Sequence, residues 1–498
     1  MDKVETDKLW QLACKAEAEK QHSGLEVWNK WADQILCEKE ELVKQGKWSL
    51  DREPFETIFD GLPTVGSSLK SKETSEWMGK ARVDFSQRTF DETANFALFK
   101  FPYDVSFAET TFNSWAVFSG CTFFDSVSFQ GTKFNNLTNF RNAKFIGTAA
   151  FHSSVVFAEV ALFDKSQFAS DAQFNCVFHR GAMFGSCVFA GTALFGQVKF
   201  LDSANFPSAQ FFGRCFFEES SFSKHASFND ARFYTEALFG RCKFDGPANF
   251  SKAHFSSADF NSIQSRNSFS LAESKFDSTP NFIQAYFSEA PRLDNIVLED
   301  PLKKRNWGFH APDPRPADFC EWVIAKDGDE QARSRTLKKM AISAHDYEQE
   351  VNFFSNELRT RRFWRDKPFS TGAGRFWFGI LYELTSDFGR SVLRPFLWWL
   401  GNMGFLALIL ALVRNREGEC TLWNSVVPVE IYLSFINSLP GLGVFRSQQK
   451  ETALTYLLCA KKDEVFPFLD MIFIVHGFVQ AILIFLCILV IRNIFKIK

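Results

Sequence analysis

Two polar residues, His476 and Gln480, stand one helical turn apart inside a long apolar stretch near the end of the chain. Polar side chains at membrane depth are costly, so they mark functional positions or bonds to a neighbouring helix. Hydrogen bonding to another membrane segment is the simpler explanation for this pair. A functional role within the membrane is the alternative.

A second group of chemically interesting residues lies in segment 426–445, which is apolar but too interrupted to cross a membrane. Its candidate pore or re-entrant residues are Ser434, Asn437, Pro440, Gly441 and Gly443. With an apolar stretch on each side, the segment resembles the pore domain of two-helix potassium channels. However, Asn437-Ser-Leu-Pro440 replaces the Thr-rich run of that domain, and Pro440 disturbs the extended carbonyl ring that potassium selectivity needs. We therefore expect a re-entrant or interfacial segment, with a less selective pore as the alternative.

Elsewhere the chain lacks the residue patterns of enzymes and metal sites. The 11 cysteines include no CxxC pair, and the 8 histidines are dispersed. Residues 61–67 have part of the spacing of a phosphate loop but no lysine after the second glycine. We predict that the protein is not an enzyme and uses no metal or cofactor. The cysteine pattern suits a reducing cytosol.

The polar residues need membrane spans to position them, and the apolar stretches 395–413 and 471–491 have the required length of about 20 residues. Two spans place both termini on the same side. A basic cluster before the first span contains Arg359, Arg361, Arg362, Arg365 and Lys367. Together with the basic tail they place that side in the cytoplasm. We predict a two-span protein of the cell inner membrane, whose arginines face the anionic lipid surface of the bilayer.

A helical segment with a heptad pattern precedes the arginines. Its a and d positions are Leu337, Met340, Ala344, Tyr347, Val351, Phe354 and Leu358. Three heptads make a weak coiled coil, so two interpretations stay open. Either the stripe packs against the rest of the chain, or it joins copies of the protein into a homo-oligomer.

The middle of the chain is dominated by phenylalanine, which recurs from Phe85 in alternating steps of five and six residues. A small residue stands two positions before nearly every one of these ladder phenylalanines. Five cysteines occupy this small slot: Cys121, Cys176, Cys187, Cys215 and Cys242. In an extended strand, residues two apart face the same side, so the small residue and the ring both point inward. A fixed period of this kind indicates a solenoid.

The pattern resembles the pentapeptide-repeat family over roughly residues 82–296. The resemblance implies a mainly β fold, a right-handed quadrilateral β-helix, whose coil has 22 residues because every second repeat has one residue more. The ladder comes one residue late after Phe151 and is back in phase at Phe184. We therefore expect a one-residue insertion near residues 152–156 and a compensating deletion near residues 175–177.

The expected architecture begins with a helical cap over residues 1–80, because an open β-solenoid end exposes unpaired strand edges. The β-helix follows over residues 81–298, and a Pro-rich linker over 299–327. The heptad helix and its basic, aromatic continuation occupy residues 328–393. The membrane domain, with its two transmembrane helices, occupies residues 394–498.

Charge narrows the functions that such a chain could have. The formal net charge is −2, and acidic and basic residues are nearly balanced within the repeats. The solenoid thus lacks both the acidity of pentapeptide-repeat proteins that mimic DNA and the basic stripe that nucleic-acid binding needs. The leading hypothesis is a membrane-tethered scaffold whose solenoid recruits an unknown cytosolic protein. The alternative is an oligomeric two-helix channel with the solenoid as its cytosolic sensor.

Overall fold

A computed structural model describes residues 3–18, 24–49, 71–299, 302–306, 321–325, 328–362, 365–366, 369, 371, 373–413, 427–439, 447–458 and 467–495. The chain separates into two compact units. The first comprises Met1–Pro301 with Lys339–Asp346, and the second comprises Leu302–Lys338 with Tyr347–Lys498.

Three helices cover one end of the solenoid: α1 (Lys3–Ala18), α2 (Gly24–Lys44) and α3 (Lys72–Ala81). Trp10 of α1 packs on the ring of Phe96, with centroids 4.7 Å apart. Trp28 of α2 is fully buried and stacks on Phe99. The predicted N-terminal helical cap is confirmed.

The cap also provides hydrogen-bond partners for the first coil. Asn29 accepts a hydrogen bond from the Lys100 N–H at 3.0 Å and donates one to the Leu98 carbonyl oxygen at 3.1 Å. Thr6 Oγ1 accepts a hydrogen bond from the Asp84 N–H at 3.1 Å. These side chains occupy backbone groups that would otherwise form an open sheet edge, where another chain could pair.

The solenoid is built from short strands, most of them two residues long. In chain order, β1 to β34 are Val83–Asp84, Thr89–Phe90, Ala94–Asn95, Lys100–Phe101, Val105–Ser106, Thr111–Phe112, Ala116–Val117, Thr122–Phe123, Val127–Ser128, Lys133–Phe134, Thr138–Asn139, Lys144–Phe145, Ala149–Phe157, Ala161–Leu162, Gln167–Phe168, Ala172–Phe178, Ala182–Met183, Val188–Phe189, Ala193–Leu194, Lys199–Phe200, Ala204–Asn205, Gln210–Phe211, Cys215–Phe216, Ser221–Phe222, Ala226–Ser227, Arg232–Leu238, Lys243–Phe244, Ala248–Asn249, His254–Asp259, Gln264–Ser265, Phe269–Ser270, Lys275–Phe276, Tyr286–Phe287 and Val297–Leu298.

Successive coils pair in parallel and form a β-solenoid of about 10 turns. Val83 pairs with Val105, and Lys100 pairs with Thr122, so one coil has the predicted 22 residues. The ladder phenylalanines form four internal columns of rings, and almost all of them are fully buried. The predicted pentapeptide-repeat architecture is confirmed.

The environment of Phe195 shows how the rings pack. Phe195 stacks between Phe174 at 4.6 Å and Phe217 at 4.7 Å, with ring planes within 7° of parallel. Phe184 and Phe206, in the column on the opposite side of the coil, meet it edge-on at 89°. Both arrangements are preferred by aromatic pairs and add to the stabilisation from area burial.

Two kinds of corner join the four sides of each coil. At the five-residue steps, the third residue of a tight turn has a left-handed backbone, as in Leu98 and Glu109 with φ of 62° and 57°. The small slot after such a corner often holds a hydroxyl or a thiol. The Cys187 thiol donates a hydrogen bond to the Phe163 carbonyl oxygen at 2.9 Å. Cys121, Cys187 and Cys242 therefore each pair a backbone carbonyl in addition to fitting a small space.

The predicted insertion and deletion are both present. The step from residue 128 to 133 faces the longer step from 150 to 156 in the next coil. The step from 173 to 177 faces the longer one from 194 to 199. Strand β13 absorbs the extra residue as a bulge between Phe151 and Val155, so the ladder phenylalanines on both sides remain in their columns.

The chain after the solenoid contains an antiparallel strand pair and seven helices in its described part. These are β35 (Leu302–Asn306), β36 (Glu321–Ala325), α4 (Glu330–Ser343), α5 (Tyr347–Arg361), α6 (Ala373–Ser386), α7 (Leu393–Val413), α8 (Val429–Ser438), α9 (Ser447–Leu458) and α10 (Pro467–Phe495).

The structure differs from the predicted continuous heptad helix, because the chain turns between α4 and α5. His345 has a φ of 55°, and the Asp346 N–H donates to the Ala341 carbonyl oxygen at 3.0 Å, which closes the end of α4. Helix α5 then folds back, and its Glu357 lies 2.8 Å from Arg335 of α4. The heptad residues consequently form two short stripes.

Removing one stacked ring should destabilise the solenoid strongly. We expect Phe195→Ala to lower the free energy of unfolding by about 3–5 kcal/mol, because it removes a fully buried ring and leaves a cavity. Ser186→Ala, at an exposed corner, should cost less than about 0.5 kcal/mol. Urea unfolding of the full chain in detergent, followed by far-ultraviolet circular dichroism, measures both. Equal losses would contradict the inward assignment of the rings.

Close approach of neighbouring coils makes several glycine corners intolerant of a side chain, and the contact is shortest at Gly213. A Cβ added at Gly213 would lie 2.2 Å from the Gly191 carbonyl oxygen, whereas one at Gly196 would meet nothing nearer than 3.8 Å. We expect Gly213→Ala to cost about 1–3 kcal/mol through strain, and Gly196→Ala to change stability by less than about 1 kcal/mol. The same urea series compares them, and an unaffected Gly213→Ala would show that the coils can separate there.

Candidate functional site

Helices α7 and α10 are long and apolar enough to cross a membrane, over Leu393–Leu412 and Leu469–Arg492. They match the predicted spans 395–413 and 471–491. Only 17% and 22% of the residues in their most apolar windows are buried, whereas a core helix of a soluble protein is mostly buried. Large exposed apolar side chains include Phe405, Leu408, Leu412, Ile474, Phe478 and Phe485. These helices could therefore present their surfaces to lipid.

The short helix α8 packs against both long helices. The shared apolar cluster also includes α9 and consists of Leu406, Leu410, Val429, Leu433, Ala453, Leu457, Leu469 and Phe473. Segment 426–445 thus contributes a helix of 10 residues to the packed interior. Pro440, Gly441 and Gly443 lie outside the described residues.

Polar side chains of α8 hydrogen-bond to the backbones of both long helices. Ser434 Oγ donates to the Met403 carbonyl oxygen of α7 at 2.5 Å. Asn437 Nδ2 donates to the Phe473 carbonyl oxygen of α10 at 2.9 Å. Two of the predicted pore residues therefore have partners within the chain, and both fix the position of α8.

Gln480 and His476 complete this polar cluster. Gln480 is fully buried, and its Nε2 lies 3.1 Å from the Trp399 carbonyl oxygen and 3.2 Å from Ser438 Oγ. The two ring nitrogens of His476 face the amides of Asn437, at 2.9 Å, and Gln480, at 3.2 Å. The structure thus brings His476 and Gln480 of α10 together with α7 and with α8.

The chemistry of this cluster is that of neutral hydrogen bonding. Its side chains are amides, hydroxyls, an imidazole and the indole of Trp399, which donates to the Ser438 carbonyl oxygen at 3.3 Å. These uncharged groups can hold helices together in an apolar medium. Among the residues that the structure describes, no group of three His, Cys, Asp or Glu side chains could hold a metal ion.

Three of the four predicted membrane-surface arginines are engaged in ion pairs. Arg359 lies 2.9 Å from Glu383, and Arg362 lies 2.5 Å from the same carboxylate. Arg361 pairs with Asp366 at 3.1 Å. Arg365 lies in an exposed turn. Arg359 and Arg362 therefore connect the end of α5 to α6, a role that sequence spacing alone did not reveal.

The predicted oligomer seam is shared between two helices. Leu337 and Met340 of α4 are buried, whereas Val351, Phe354 and Leu358 of α5 are only partly buried and Tyr347 is exposed. Ion pairs hold α4 and α5 together. Burial raises the pKa of Glu357, but hydrogen bonds from Lys338 and Arg335 outweigh it, so that the pKa lies below the usual value.

Comparison with known proteins agrees with the repeat geometry. A family model described as pentapeptide repeats (9 copies) matches residues 217–264, which lie within the solenoid. The chain is a pentapeptide-repeat protein. Searches of curated proteins and of solved structures found no match to it.

The surface of this pentapeptide-repeat solenoid carries an apolar patch that the sequence analysis missed. Phe212 and Tyr234, 22 residues apart, stack at 4.5 Å with their rings 5° from parallel, although they are 44% and 42% exposed. Leu194, Phe216 and Leu238 are partly exposed on the same successive coils. The signal was present as bulky residues at outward positions of the repeat, next to the more obvious inward ladder.

The polar cluster should stabilise the helical assembly by a modest amount. We expect Gln480→Leu to destabilise it by about 1 kcal/mol, because Gln480 contacts both Trp399 and Ser438 and such bonds are worth roughly 0.6–2 kcal/mol in membranes. Phe478→Leu, on the exposed side of α10, should have no comparable effect. Thermal melting of the detergent-solubilised protein measures both. Equal melting temperatures for Gln480→Leu and the parent protein would show that the cluster adds nothing.

Proposed function

We propose that this pentapeptide-repeat protein is a membrane-tethered scaffold that presents its solenoid to a cytosolic protein. The observation that carries the proposal is the large apolar surface left exposed on α7 and α10. Phe478 is 68% exposed and Ile474 is 72% exposed. Water would penalise such a surface by roughly 25 cal/mol for each Å², whereas lipid would not.

The orientation that fits best has both termini in the cytoplasm. Two spanning helices return the chain to its starting side, and basic residues flank the outer ends of both spans. Arg390 lies just before α7 and Arg394 lies in its first turn. The last basic residues of the chain are Arg492, Lys496 and Lys498. An excess of such residues favours the cytoplasmic side.

The solenoid surface favours a protein partner. The patch around Phe212 and Tyr234 offers aromatic area, which dominates many protein–protein interfaces. The balanced charge of the repeats gives no basic stripe for a phosphate backbone. Because the rings of the patch stack on each other across coils, their positions are fixed before a partner arrives, which lowers the ordering cost of binding.

Cysteine labelling in intact cells tests the topology. The parent variant lacks the cysteines at positions 14, 37, 320, 420, 459 and 487, and it keeps the five in the solenoid core. Burial raises the pKa of those thiols and makes them unreactive. We expect a membrane-impermeant maleimide to label Lys450→Cys but not Glu5→Cys or Lys498→Cys. Labelling of the last two would overturn the orientation.

Affinity capture tests the scaffold role of the patch. The full chain and the variant Phe212→Ser with Tyr234→Ser serve as baits, and captured proteins are quantified by mass spectrometry. The matched control is Asn113→Ser with Asn135→Ser, which changes an exposed pair of the same coil spacing on another side. A partner captured by the parent and the control but not by the patch variant supports the proposal. Capture of the same proteins by all three baits would show that the patch does not bind the partner.

A channel remains the second candidate because α8 packs between two potential spans, as a pore helix would. A pore also requires several copies, and the α4 and α5 stripes are its proposed seam. Ion flux into liposomes tests this candidate, with Gly441→Pro expected to abolish flux and spare the oligomer. Val351→Asp with Phe354→Asp should abolish both. If the folded protein passes no ions at any voltage, the channel is excluded and the membrane-tethered scaffold is the only candidate left.

A further inference from the structure

Helix α6 has one apolar face that is exposed. Trp377, Phe378, Leu381 and Leu384 are 51%, 68%, 53% and 57% exposed. Their spacing places them on one side of the helix, and none carries a charge. Scattered exposed apolar residues are normal in proteins, but four large ones on a helix of 14 residues form a continuous apolar face.

The opposite side of α6 is held by charged residues in the last turn of α5 and directly after it. Glu383 forms ion pairs with Arg359 and Arg362. Arg362 Nη2 also donates a hydrogen bond to the Gly379 carbonyl oxygen at 3.1 Å. The buried ring of Phe376 lies on this side as well. The orientation of α6 is therefore fixed, and its apolar face cannot turn inward without breaking these pairs.

The chain bends sharply between α6 and α7. Asp387, Phe388 and Gly389 have φ values of 51°, 55° and 84°, so α6 cannot continue into α7 as one straight helix. Asp387 holds the bend through Arg390 at 2.8 Å. A helix of 14 residues is about 21 Å long, too short for a hydrocarbon core of about 30 Å.

We propose that α6 is an interfacial helix that lies in the surface of the bilayer, with Trp377, Phe378, Leu381 and Leu384 among the lipids. The inference rests on the proposed membrane insertion of α7 and α10. The apolar face of α6 adjoins the start of α7, because Trp398 Nε1 of α7 donates to the Leu384 carbonyl oxygen of α6 at 3.2 Å. Leu397 and Trp398 of α7 are more than half exposed as well.

The occupant of this face is lipid, and acyl-chain contact supplies the attraction. Arg375 of α6 is 72% exposed and lies 3.7 Å from Asp366. Arg359 and Arg362, which hold α6 from the other side, pair with Glu383, and their side chains are only 22% and 15% exposed. They are therefore poorly placed to bind lipid phosphates. Membrane contact by α6 should then depend little on anionic lipid, in contrast to a polybasic surface segment.

Nitroxide labels on the full chain test the proposal. Single cysteines replace Phe378, Leu381, Arg375 or Phe478 in the variant that keeps only the buried core cysteines. Arg375 is the control on α6, since it is 72% exposed but carries a charge. Phe478 is the control on α10. Each protein is placed in phosphatidylcholine liposomes with or without phosphatidylglycerol, and collision rates with oxygen and with a water-soluble nickel chelate are measured.

We expect labels at positions 378, 381 and 478 to collide several-fold more with oxygen than with nickel in both lipids, and position 375 to show the reverse. Strong nickel collisions at 378 and 381, with 478 shielded, would overturn the interfacial helix alone. Nickel collisions at 478 would overturn the membrane tether itself. Low collision rates with both reagents at 378 would mean that protein covers the face. Shielding only with phosphatidylglycerol would show that lipid charge holds α6.

Discussion

The solenoid depends on an equality between two distances. Backbone pairing sets neighbouring parallel strands about 4.8 Å apart, and stacked ladder rings such as Phe184 and Phe206 repeat at 4.7 Å. Carbon atoms in contact prefer a separation of about 3.5–4.0 Å, so parallel rings with this repeat must be offset, which is also the arrangement that their quadrupoles favour. The hydrogen bonds and the rings consequently reinforce the same spacing. An extra residue has to leave the column as a bulge, as it does after Phe151.

The repeat was predictable because its signal is local and periodic. A ring with a small residue two positions earlier defines the inward face of each side without knowledge of any distant partner. An insertion or deletion in the repeat was predictable only where the ladder phenylalanines before and after it kept the regular spacing. Ser265 and Phe269 show the limit. Ser265 occupies a ring slot and Phe269 a small slot, through their pairing with Phe244 and Ala248. Phe269 then approaches Phe244 edge-on at 5.8 Å, and this exchange appeared in the sequence only as a decaying ladder.

The polar residues of the apolar helices illustrate a second limit. Their position predicted hydrogen bonding, because an unpaired amide or imidazole in hydrocarbon costs several kcal/mol. Their partners could not be read from the chain. Gln480 reaches Trp399 across 81 residues of sequence, and Asn437 reaches His476 across 39. Both bonds require the particular packing of α8 against the two long helices. The heptad pattern likewise did not reveal that the helix is divided into α4 and α5. The turn at His345 depends on how α4 ends, and the a and d spacing continues across it.

The arginines before α7 show why a basic cluster in the sequence is an incomplete guide to the partners of its side chains. Their abundance suggested a headgroup surface, but Glu383 and Asp387 lie within reach on the next helix and bend. A carboxylate fixed in the same chain has a high effective concentration, whereas a lipid phosphate must be recruited from a mobile surface. Arg359 therefore pairs with Glu383 and also lies over the ring of Phe388, with its guanidinium 5.5 Å from the centroid. The charges orient α6, and that orientation determines which of its side chains are left exposed.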